Sequence, residues 1–583
     1  MSTAVHAGTV PKSAPPFVVP NGSMSGKVMC GYQGWFNALG DGSGLGWRHF
    51  GDTPGKVGFE MWPDVSELSR EERYPTSFRR ADGTTAELYS AYNEKTVLRH
   101  FEWMRKYGID GVFLQRFQSE VAPSGNPRIP DHVDKVLQHV IKGAHQYGRV
   151  YGLMYDLSGL RPGNAQRIID DWKHVVDATH LTKDGRYVRD GGKPVVVLWG
   201  LGFGGNRPPL FEDGLAIIKF LKNDPTYGGN VVMIGVPYQW RTTDTTQVPF
   251  AKMQELVEAA DIVSPWAVGT RSTPEAIVEG FQTVTKPDLE WCTAHGKKYM
   301  PVLFPGFSWY NLQKCAKPVN QIPRLGGKFL WTQYVQAKKI GATMIYQAMF
   351  DEVDEGTAIY KVTNDAPLGE GKSQFLTYEG LPSDFYLKLV GQGTRLIRGE
   401  IGTEEDSLVK RADWKPFVPR MAAVPTLALG PEQVDPQLRF RPDLALNKPY
   451  IESDPATKIP SRGLTDGSWQ TDPLHAYSSG PSPAFPKTVT VDLGEPLQIS
   501  KVVLGNSPNS GTCNVEISAS EDGGVFARLG TFRYTQGRVE NHLFEFAVNS
   551  ARFVRVTFVD SYPVAAETQR GVVGLSELAV YGP

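Results

Sequence analysis

The chain has 583 residues, a formal net charge of -1, and 40% hydrophobic and 21% charged residues. This length exceeds what one hydrophobic core ordinarily holds and predicts two to four domains. The near-zero charge gives no support for binding to nucleic acid or an anionic membrane, and the chain has no run of about 18 apolar residues that would predict a membrane span.

Strands and helices alternate through residues 26–400, where short β-branched or aromatic runs precede amphipathic segments of helix length. The predicted strands are 27–36, 111–117, 150–157, 194–201, 231–238, 262–267, 299–304 and 342–348. The predicted helices are 94–107, 132–147, 164–178, 211–221, 274–295, 328–340 and 382–397. Eight strands with crossover helices predict an α/β fold of the (β/α)8 TIM-barrel type. A doubly wound sheet is the alternative, but the glycines of residues 40–46 lack the lysine and helix start of a phosphate loop.

Candidate binding residues follow from the barrel prediction, because barrel enzymes place their sites at the carboxyl ends of the strands. Six of the eight predicted ends carry Trp or Tyr, which is typical of an aromatic-lined carbohydrate cleft. Core packing near the barrel mouth explains any single one of them equally well. The predicted substrate-binding residues are Tyr32, Trp35, Trp47, His49, Gln115, Arg116, Tyr155, Asp156, Trp199, Tyr238, Trp240, Trp266, Trp309 and Gln347.

An acidic segment follows the last predicted strand of this region. Residues 349–357 (MFDEVDEGT) place four carboxylates within five residues. Mutual repulsion and desolvation disfavour their ionised forms, a cost that folds tolerate mainly for acid/base chemistry or cation binding. An acidic surface turn is the alternative interpretation.

Two members of this segment have the spacing of a catalytic pair. Glycoside hydrolysis uses two carboxyl groups, and Glu352 and Glu355 are three residues apart, so both can face one cleft. Arg48 and Arg116 are candidate counter-charges that keep one carboxylate ionised. His49 has no partner at metal-ligand spacing, so no catalytic metal or other cofactor is expected.

The segment 350–359 (FDEVDEGTAI) resembles the FNEWHEGTQI segment of glycoside hydrolase family 99. Residues 31–36 (GYQGWF) resemble the first strand of that family, and residues 381–399 resemble the last helix of relatives grouped with families 71 and 99. The family contains endo-α-mannosidases and endo-α-mannanases on a (β/α)8 barrel. The resemblance implies that Glu355 is the general acid/base. It also implies that Glu352 is a base that helps the 2-hydroxyl of the substrate attack the anomeric carbon, through a 1,2-anhydro sugar and with net retention.

Asp351, Val353 and Asp354 stand where the family has Asn, Trp and His, so we expect the substrate to differ there. Direct attack by Glu352 would require carboxyl groups ~5–5.5 Å apart, and inversion ~6.5–9.5 Å. We expect a retaining glycosidase acting on an α-linked extracellular or cell-wall polysaccharide or its oligosaccharides. The alternatives are a glycosidase of different stereochemistry on another linkage, and a non-catalytic glycan-binding protein with a degenerate barrel.

Residues 442–583 predict a separate all-β module, joined to the barrel by a linker at 401–441. Its predicted strands are 487–493, 499–504, 513–519, 542–546, 553–558 and 575–581. The strings LALNKP (444–449), LTDG (464–467), VTVDLG (489–494), VEIS (515–518) and LSELAVYG (575–582) resemble the discoidin, or factor 5/8 type C, fold. Carbohydrate-binding module family 32 shares this fold, a jelly-roll sandwich.

The resemblance implies a structural Ca²⁺ held by Asp466 and Glu577, completed by backbone carbonyls. An Asp-Gly turn is the alternative role of Asp466. Candidate glycan contacts on the loops of this module are Trp469, His475, Tyr477 and Tyr562.

A module of this kind tethers an enzyme to a polymer, which favours an extracellular setting. Residues 1–25 form a proline-rich N-terminal extension without a signal pattern. We therefore expect a secreted or periplasmic protein whose signal peptide is absent from this chain; a cytoplasmic protein is the alternative. The four cysteines show neither CxxC pairing nor zinc spacing and leave the redox compartment open.

Overall fold

The chain divides into two units between residues 423 and 424, and each unit has its own hydrophobic core. The division falls within the segment predicted as a linker. A computed structural model describes residues 17–51, 57–367, 373–403, 408–411, 414–415, 431, 434–438, 441–454, 463–469, 476–506, 511–535, 540–562 and 571–583. Of the helices in these ranges, none is long and apolar enough to cross a membrane.

The first unit is a mixed α/β structure built on a curled parallel sheet. Its strands are β1 (Val28–Tyr32), β2 (Tyr74–Arg79), β3 (Thr85–Leu88), β4 (Gly111–Phe117), β5 (Val150–Asp156), β6 (Arg189–Asp190), β7 (Lys193–Trp199), β8 (Val231–Pro237), β9 (Ile262–Trp266), β10 (Lys298–Tyr299), β11 (Val302–Leu303) and β12 (Ile345–Gln347). The parallel order is β10-β9-β8-β7-β5-β4-β1-β12-β11, with β6 added antiparallel to β7. β2 and β3 form a separate hairpin that the sequence did not predict.

The two ends of this strand order are consecutive in the chain. β10 pairs with β9, β11 pairs with β12, and only Met300 and Pro301 separate them. Met300 N–H donates to Val263 O at 2.9 Å, and Pro301 O accepts from Tyr346 N–H at 3.0 Å. Because proline has no N–H, the strand predicted at 299–304 is split here. The ladder is therefore a curled sheet and not the uninterrupted ring of eight strands that was predicted.

Most helices of the first unit connect successive strands of the sheet, and the last two follow β12. They are α1 (Glu94–Tyr107), α2 (Arg128–Tyr147), α3 (Ala165–Thr179), α4 (Phe211–Asn223), α5 (Phe250–Ala259), α6 (Pro274–Gly280), α7 (Lys286–Ala294), α8 (Lys328–Lys339), α9 (Phe385–Arg398) and α10 (Leu408–Arg411), with a π-helical turn at Phe281–Thr285 between α6 and α7. The ends of α1 follow from its sequence. Asn93 caps its first turn by accepting from Lys95 N–H at 3.1 Å, and Gly108, at φ 79°, ends it.

The second unit contains a separate antiparallel sheet. Its strands are β13 (Tyr450–Glu452), β14 (Tyr477–Ser478), β15 (Lys487–Asn506), β16 (Asn514–Ser520), β17 (Ala527–Arg533), β18 (Asn541–Phe558) and β19 (Gly574–Tyr581). The order is β14-β19-β15-β18-β16-β17, with β13 on β15. The pairs of strands predicted at 487–504 and 542–558 are two long strands. They pair with a register shift between Asp492 and Leu497, which lets one strand contribute to two parts of the core. This arrangement is consistent with a β-sandwich.

Candidate active site

A cleft with a volume of about 570 Å³ lies at the carboxyl ends of β4, β5, β7 and β9. Eight of the residues predicted from the sequence line it: Trp35, Gln115, Asp156, Trp199, Trp266, Trp309, Glu352 and Glu355. The structure therefore brings both glutamates of the acidic segment to the same cavity as four tryptophans.

Asp351 fixes the start of the acidic segment to the chain that follows β1. Its two carboxylate oxygens accept hydrogen bonds from the main-chain N–H groups of Gln33 and Gly34, at 2.8 and 2.9 Å. The side chain is buried, and burial raises its pKa to about 7, against the lowering effect of these two hydrogen bonds. Asp351 thus has a structural role: it joins the segment that follows β12 to the segment that follows β1.

Glu352 is buried and oriented by two side chains. Its Oε1 accepts from the Gln33 amide at 2.5 Å, and its Oε2 accepts from the Thr357 hydroxyl at 2.6 Å. Burial, followed by the charges of Glu355 and Asp354, raises the pKa of Glu352 well above its ordinary value, while the two hydrogen bonds lower it. The carboxyl group is therefore held in one position by bonds that favour its ionised form.

Glu355 is the more accessible of the pair. Burial and the neighbouring charge of Asp354 raise its pKa to about 7, while Trp309 and Arg207 act in the opposite direction. Its carbonyl oxygen accepts from Ser308 N–H at 3.0 Å, which connects it to the loop that carries Trp309. A carboxyl group with a pKa near neutrality suits general acid/base work at that pH.

Asp354 lies beside both glutamates but does not line the cleft. Burial raises its pKa to about 8, and its Oδ2 is 3.5 Å from Nδ1 of His49. Burial also lowers the pKa of His49, whose ring stacks on Trp35 with centroids 3.9 Å apart. His49, which was predicted to bind substrate, thus packs against Trp35 and does not line the cleft itself.

The aromatic walls of the cleft are packed against each other. Trp199 contacts Trp266 with centroids 5.2 Å apart and Phe203 at 5.0 Å. Within the described residues, the buried indole nitrogens of Trp35 and Trp199 have no hydrogen-bond acceptor.

Two predicted residues of β4 and β5 point to the opposite face of the sheet. Arg116 is fully buried and donates to both carboxylate oxygens of Asp171, at 2.6 and 2.8 Å, and to Asp134. Tyr155 donates to the same Asp171 at 2.8 Å. The two acids lie on α2 and α3, so Arg116 and Tyr155 hold helices to the sheet and do not reach the glutamate pair.

The remaining predicted residues also lie outside the cleft lining. Tyr32 OH is 2.8 Å from Nδ1 of His100, Gln347 accepts from Tyr334 OH at 3.0 Å, and Trp240 packs against Trp291. Tyr238 lines a separate small cavity beside β9, and Trp47 packs against the core of the first unit.

Several lining residues were not predicted as site residues. They are Gln33, Phe117, Met154, Ser158, Phe203, Arg207, Val268, Gly269, Phe307, Lys317 and Gln321. Phe117 and Met154 follow the alternation of β4 and β5 and were predictable from it. Arg207 and Lys317 lie on loops, where no periodicity indicates which way a side chain points.

Glu60 is a further carboxyl group that the sequence prediction missed. It is fully buried and accepts from Ser308 Oγ at 2.7 Å, from Asn311 N–H at 2.6 Å and from Leu312 N–H at 3.2 Å. Burial raises its pKa to about 7. It anchors the loop that carries Trp309, and its isolated position in the sequence gave no signal.

In the second unit, Glu577 is fully buried on β19. Burial and then the charges of Asp443 and Asp466 raise its pKa to about 10. Three acids therefore lie near one another, although no group of three or more His, Cys, Asp or Glu in the described parts of the chain is arranged to hold a metal ion.

Of the candidate glycan contacts in that unit, Tyr477 is buried, and Tyr562 donates to Tyr534 O at 2.8 Å. Trp469 packs against a small cluster around Leu438. His475 lies outside the described residues.

No family model matches the chain, and no curated protein matches it. Among solved structures, a GH99 endo-α-mannosidase from Bacteroides thetaiotaomicron is similar to this chain. The alignment covers 65% of this chain and 99% of the mannosidase chain, at 16% identity and a TM-score of 0.46. Chitosan-binding module 1 of a chitosanase/glucanase from Paenibacillus sp. IK-5 aligns with 24% of this chain and 99% of its own, at 21% identity and a TM-score of 0.20. The Clostridium perfringens module CpGH89CBM32-5, in complex with GalNAc-β-1,3-galactose, aligns with 23% of this chain and 96% of its own, at 18% identity and a TM-score of 0.20. Identities and TM-scores this low assign neither a family nor an activity to the chain. An activity is therefore argued from the residues of the cleft.

Proposed function

We propose that the protein is a glycoside hydrolase that cleaves an α-linked bond in a polysaccharide or its oligosaccharides. The observation that carries this proposal is the pair Glu352 and Glu355 in one cleft with Trp35, Trp199 and Trp309. Enzymatic hydrolysis of glycosides generally uses two carboxyl groups at the scissile bond. Aromatic faces pack against the apolar faces of sugar rings.

The fold that suits this activity is a (β/α)8 barrel followed by a jelly-roll sandwich. We infer that β10 and β11 are two halves of a seventh barrel strand, interrupted by Met300 and Pro301. The pairing of one half with β9 and the other with β12 supports this inference. The cleft then occupies the end of the barrel where such enzymes place their sites.

Glu355 acts as the general acid in this proposal. Its pKa near 7 lets it keep a proton at mildly acidic pH, and it donates that proton to the leaving oxygen as the glycosidic bond breaks. After departure of the leaving group it is the conjugate base, ready to accept a proton from water.

Glu352 acts as the base, as the family resemblance implies. It accepts the proton of the substrate 2-hydroxyl while that oxygen attacks the anomeric carbon, which gives a 1,2-anhydro sugar. Water, deprotonated by Glu355, then opens this ring with net retention, and Glu352 returns its proton to the 2-oxygen. Hydrogen bonds from Gln33 and Thr357 hold the base in place. Because the carboxyl groups influence each other, they titrate as a set and retain protons in part near neutrality.

Replacement of each glutamate by glutamine tests the proposal. We expect Glu352→Gln and Glu355→Gln each to lower kcat by about 10²–10⁴-fold, whereas Glu290→Gln, at an exposed residue of α7, leaves it unchanged. NMR of the first-formed anomer should show retention. An inverted product would contradict the mechanism, and absence of turnover by the wild type on a broad glycan panel, with binding kept, would identify a non-catalytic binder.

For the second unit, we propose binding of a glycan and of a structural Ca²⁺. The hard oxygen donors of Asp466 and Glu577 fit that cation, and the buried, raised-pKa carboxyl of Glu577 supports it. Main-chain carbonyls would complete the coordination. A polymer-binding module on a hydrolase supports secretion or a periplasmic location.

A further inference from the structure

We propose that the cleft accepts a glycan that carries an anionic substituent next to the scissile bond, and that Arg207 and Lys317 bind this substituent. A carboxylate, a sulfate ester and a phosphate ester share the required chemistry, since each presents charged oxygens to a guanidinium or ammonium group. The position relative to the scissile bond rests on the function proposed above for Glu352 and Glu355.

Arg207 lies on the loop that follows β7 and is exposed at the cleft. Its guanidinium carbon is 5.4 Å from the ring centroid of Trp199 and 5.8 Å from that of Phe203. Aromatic faces attract the cation without using its N–H donors. In the described part of the chain, no carboxylate lies within ion-pair distance of Arg207. The N–H groups of the Arg207 guanidinium are therefore held beside Trp199 and Phe203 and remain available to a ligand.

Lys317 approaches the same cavity from a different element. It lies on the long loop after β11, which also carries Trp309 and Gln321, and its side chain is exposed. Among the residues that the structure describes, it forms no ion pair either. Two unpaired cations from separate loops thus line one cleft, in a chain whose formal net charge is -1.

The acids of the cleft do not cancel this positive charge at mildly acidic pH. Burial raises the pKa of Asp156 to about 6 and that of Glu355 to about 7. Asp156 and Glu355 therefore keep a large share of their protons below pH 6. The field that remains in the cleft at that pH is positive and favours an anionic ligand.

The charge of Arg207 also reaches the proposed general acid, because it lowers the pKa values of both Glu355 and Asp156. An anionic group bound to Arg207 would offset that effect, so Glu355 would hold its proton more firmly in the substrate complex. The same observation permits a different role, in which Arg207 serves only as a counter-charge for Asp156. Binding measurements separate the two roles.

The experiment uses the full chain carrying Glu355→Gln, so that substrate is bound without turnover. Affinity is measured by calorimetry and by gel retardation for three matched pairs of polysaccharides. They are a uronic-acid polymer and its carboxyl-reduced form, a sulfated polymer and its desulfated form, and a phosphorylated mannan and its dephosphorylated form. Arg207→Gln and Lys317→Gln are added singly. Arg70→Gln and Lys328→Gln, at exposed cations outside the cleft, are the controls.

We expect at least one anionic polymer to bind about tenfold more tightly than its neutral partner, as a charged hydrogen bond would provide. Arg207→Gln and Lys317→Gln should each weaken binding of that polymer about five- to tenfold and leave the neutral form unchanged. The pair that shows the difference identifies the substituent. Equal affinity within every pair, no binding to any anionic polymer, or an equal loss for both forms would overturn the proposal.

Assays of the wild type on the same polymers keep this proposal distinct from the catalytic one. Hydrolysis that ignores the substituent would refute the anionic subsite and leave the hydrolase intact. A charge preference in binding without any hydrolysis would support the subsite and refute the hydrolase.

Discussion

Ser308 links Glu60 to Glu355 across two loops of the first unit. Its hydroxyl donates to Glu60 Oε2 at 2.7 Å, and its main-chain N–H donates to Glu355 O at 3.0 Å. Through these two hydrogen bonds, Ser308 positions the proposed general acid relative to the fully buried carboxyl group of Glu60.

Glu60→Ala should destabilise the first unit and impair the cleft. The change leaves Ser308 Oγ, Asn311 N–H and Leu312 N–H without their acceptor, and unsatisfied buried donors cost about 1–3 kcal/mol each. We therefore expect a loss of about 3 kcal/mol in the free energy of unfolding, measured by urea denaturation. The loss of support for Trp309 should also lower kcat/KM.

The control for this change is Glu71→Ala, at an exposed carboxylate that pairs with Lys95. Its unfolding midpoint should stay that of the wild type, since exposed ion pairs contribute little. Equal stability of Glu60→Ala and the wild type would show that Glu60 does not anchor the loop.

Asp354→Asn should shift the pH dependence of activity. A general acid at Glu355 must be protonated, so kcat/KM should fall as pH rises through about 7. Asp354 raises the pKa of Glu355 through the charge it carries when ionised, and the replacement removes that charge, so the pKa of Glu355 falls. The basic limb of the profile should therefore move to lower pH, while Asp365→Asn, at an exposed site, leaves it in place. A basic limb that stays fixed or moves upward would refute this role of Asp354.

Arg116→Met should affect stability and leave substrate affinity unchanged. The change leaves Asp171 buried without its partner, which typically costs about 3–5 kcal/mol. The folded variant should keep the KM of the wild type, because Arg116 lies on the face of the sheet opposite the cleft. Addition of Asp171→Asn should restore part of the lost stability. A raised KM with unchanged stability would show that Arg116 binds substrate, as the sequence predicted.

Glu577 should make the second unit less stable as pH rises. Its pKa is near 4.5 when unfolded and is raised to about 10 in the fold, so between these values the folded state binds the proton that the unfolded state has lost. Stability then falls over this window as pH increases. Glu577→Gln should flatten the dependence, as monitored by thermal unfolding of the intact chain.

Calcium should counter that loss, because the cation binds the ionised carboxylate. At pH 8, we expect added Ca²⁺ to raise the Tm for unfolding of the second unit and EDTA to lower it. Neither reagent should change the Tm of Glu577→Gln. A Tm that does not respond to either reagent would exclude the proposed ion.

Regular elements were predictable where local signals agree. α1 and β4 match their predicted bounds because Asn93 and Gly108 delimit the helix and β4 begins with the apolar run 111–114. α5, with ten residues, was missed. The split of β10 and β11 depends on partners distant in the chain, which the sequence pattern does not contain.

The cleft was only partly predictable, because successive side chains of a strand point to opposite faces. Gln115 and Asp156 line the cleft, while their neighbours Arg116 and Tyr155 contact Asp171 on the helices. A selection of consecutive residues at strand ends therefore mixes the two faces. Arg207 lies on a loop, and its place at the cleft is set by tertiary packing on Trp199.

The pairing of β1 with β12, strengthened by Asp351 on the N–H groups of Gln33 and Gly34, sets an order of events during synthesis. β1 leaves the ribosome long before β12, so it finds this neighbour only after nearly all of the first unit has been translated. Until then its edge is unpaired and open to wrong partners. A nascent chain halted before Ile345 therefore has no assembled acid pair, and the proposed active site is complete only when β12 is in place.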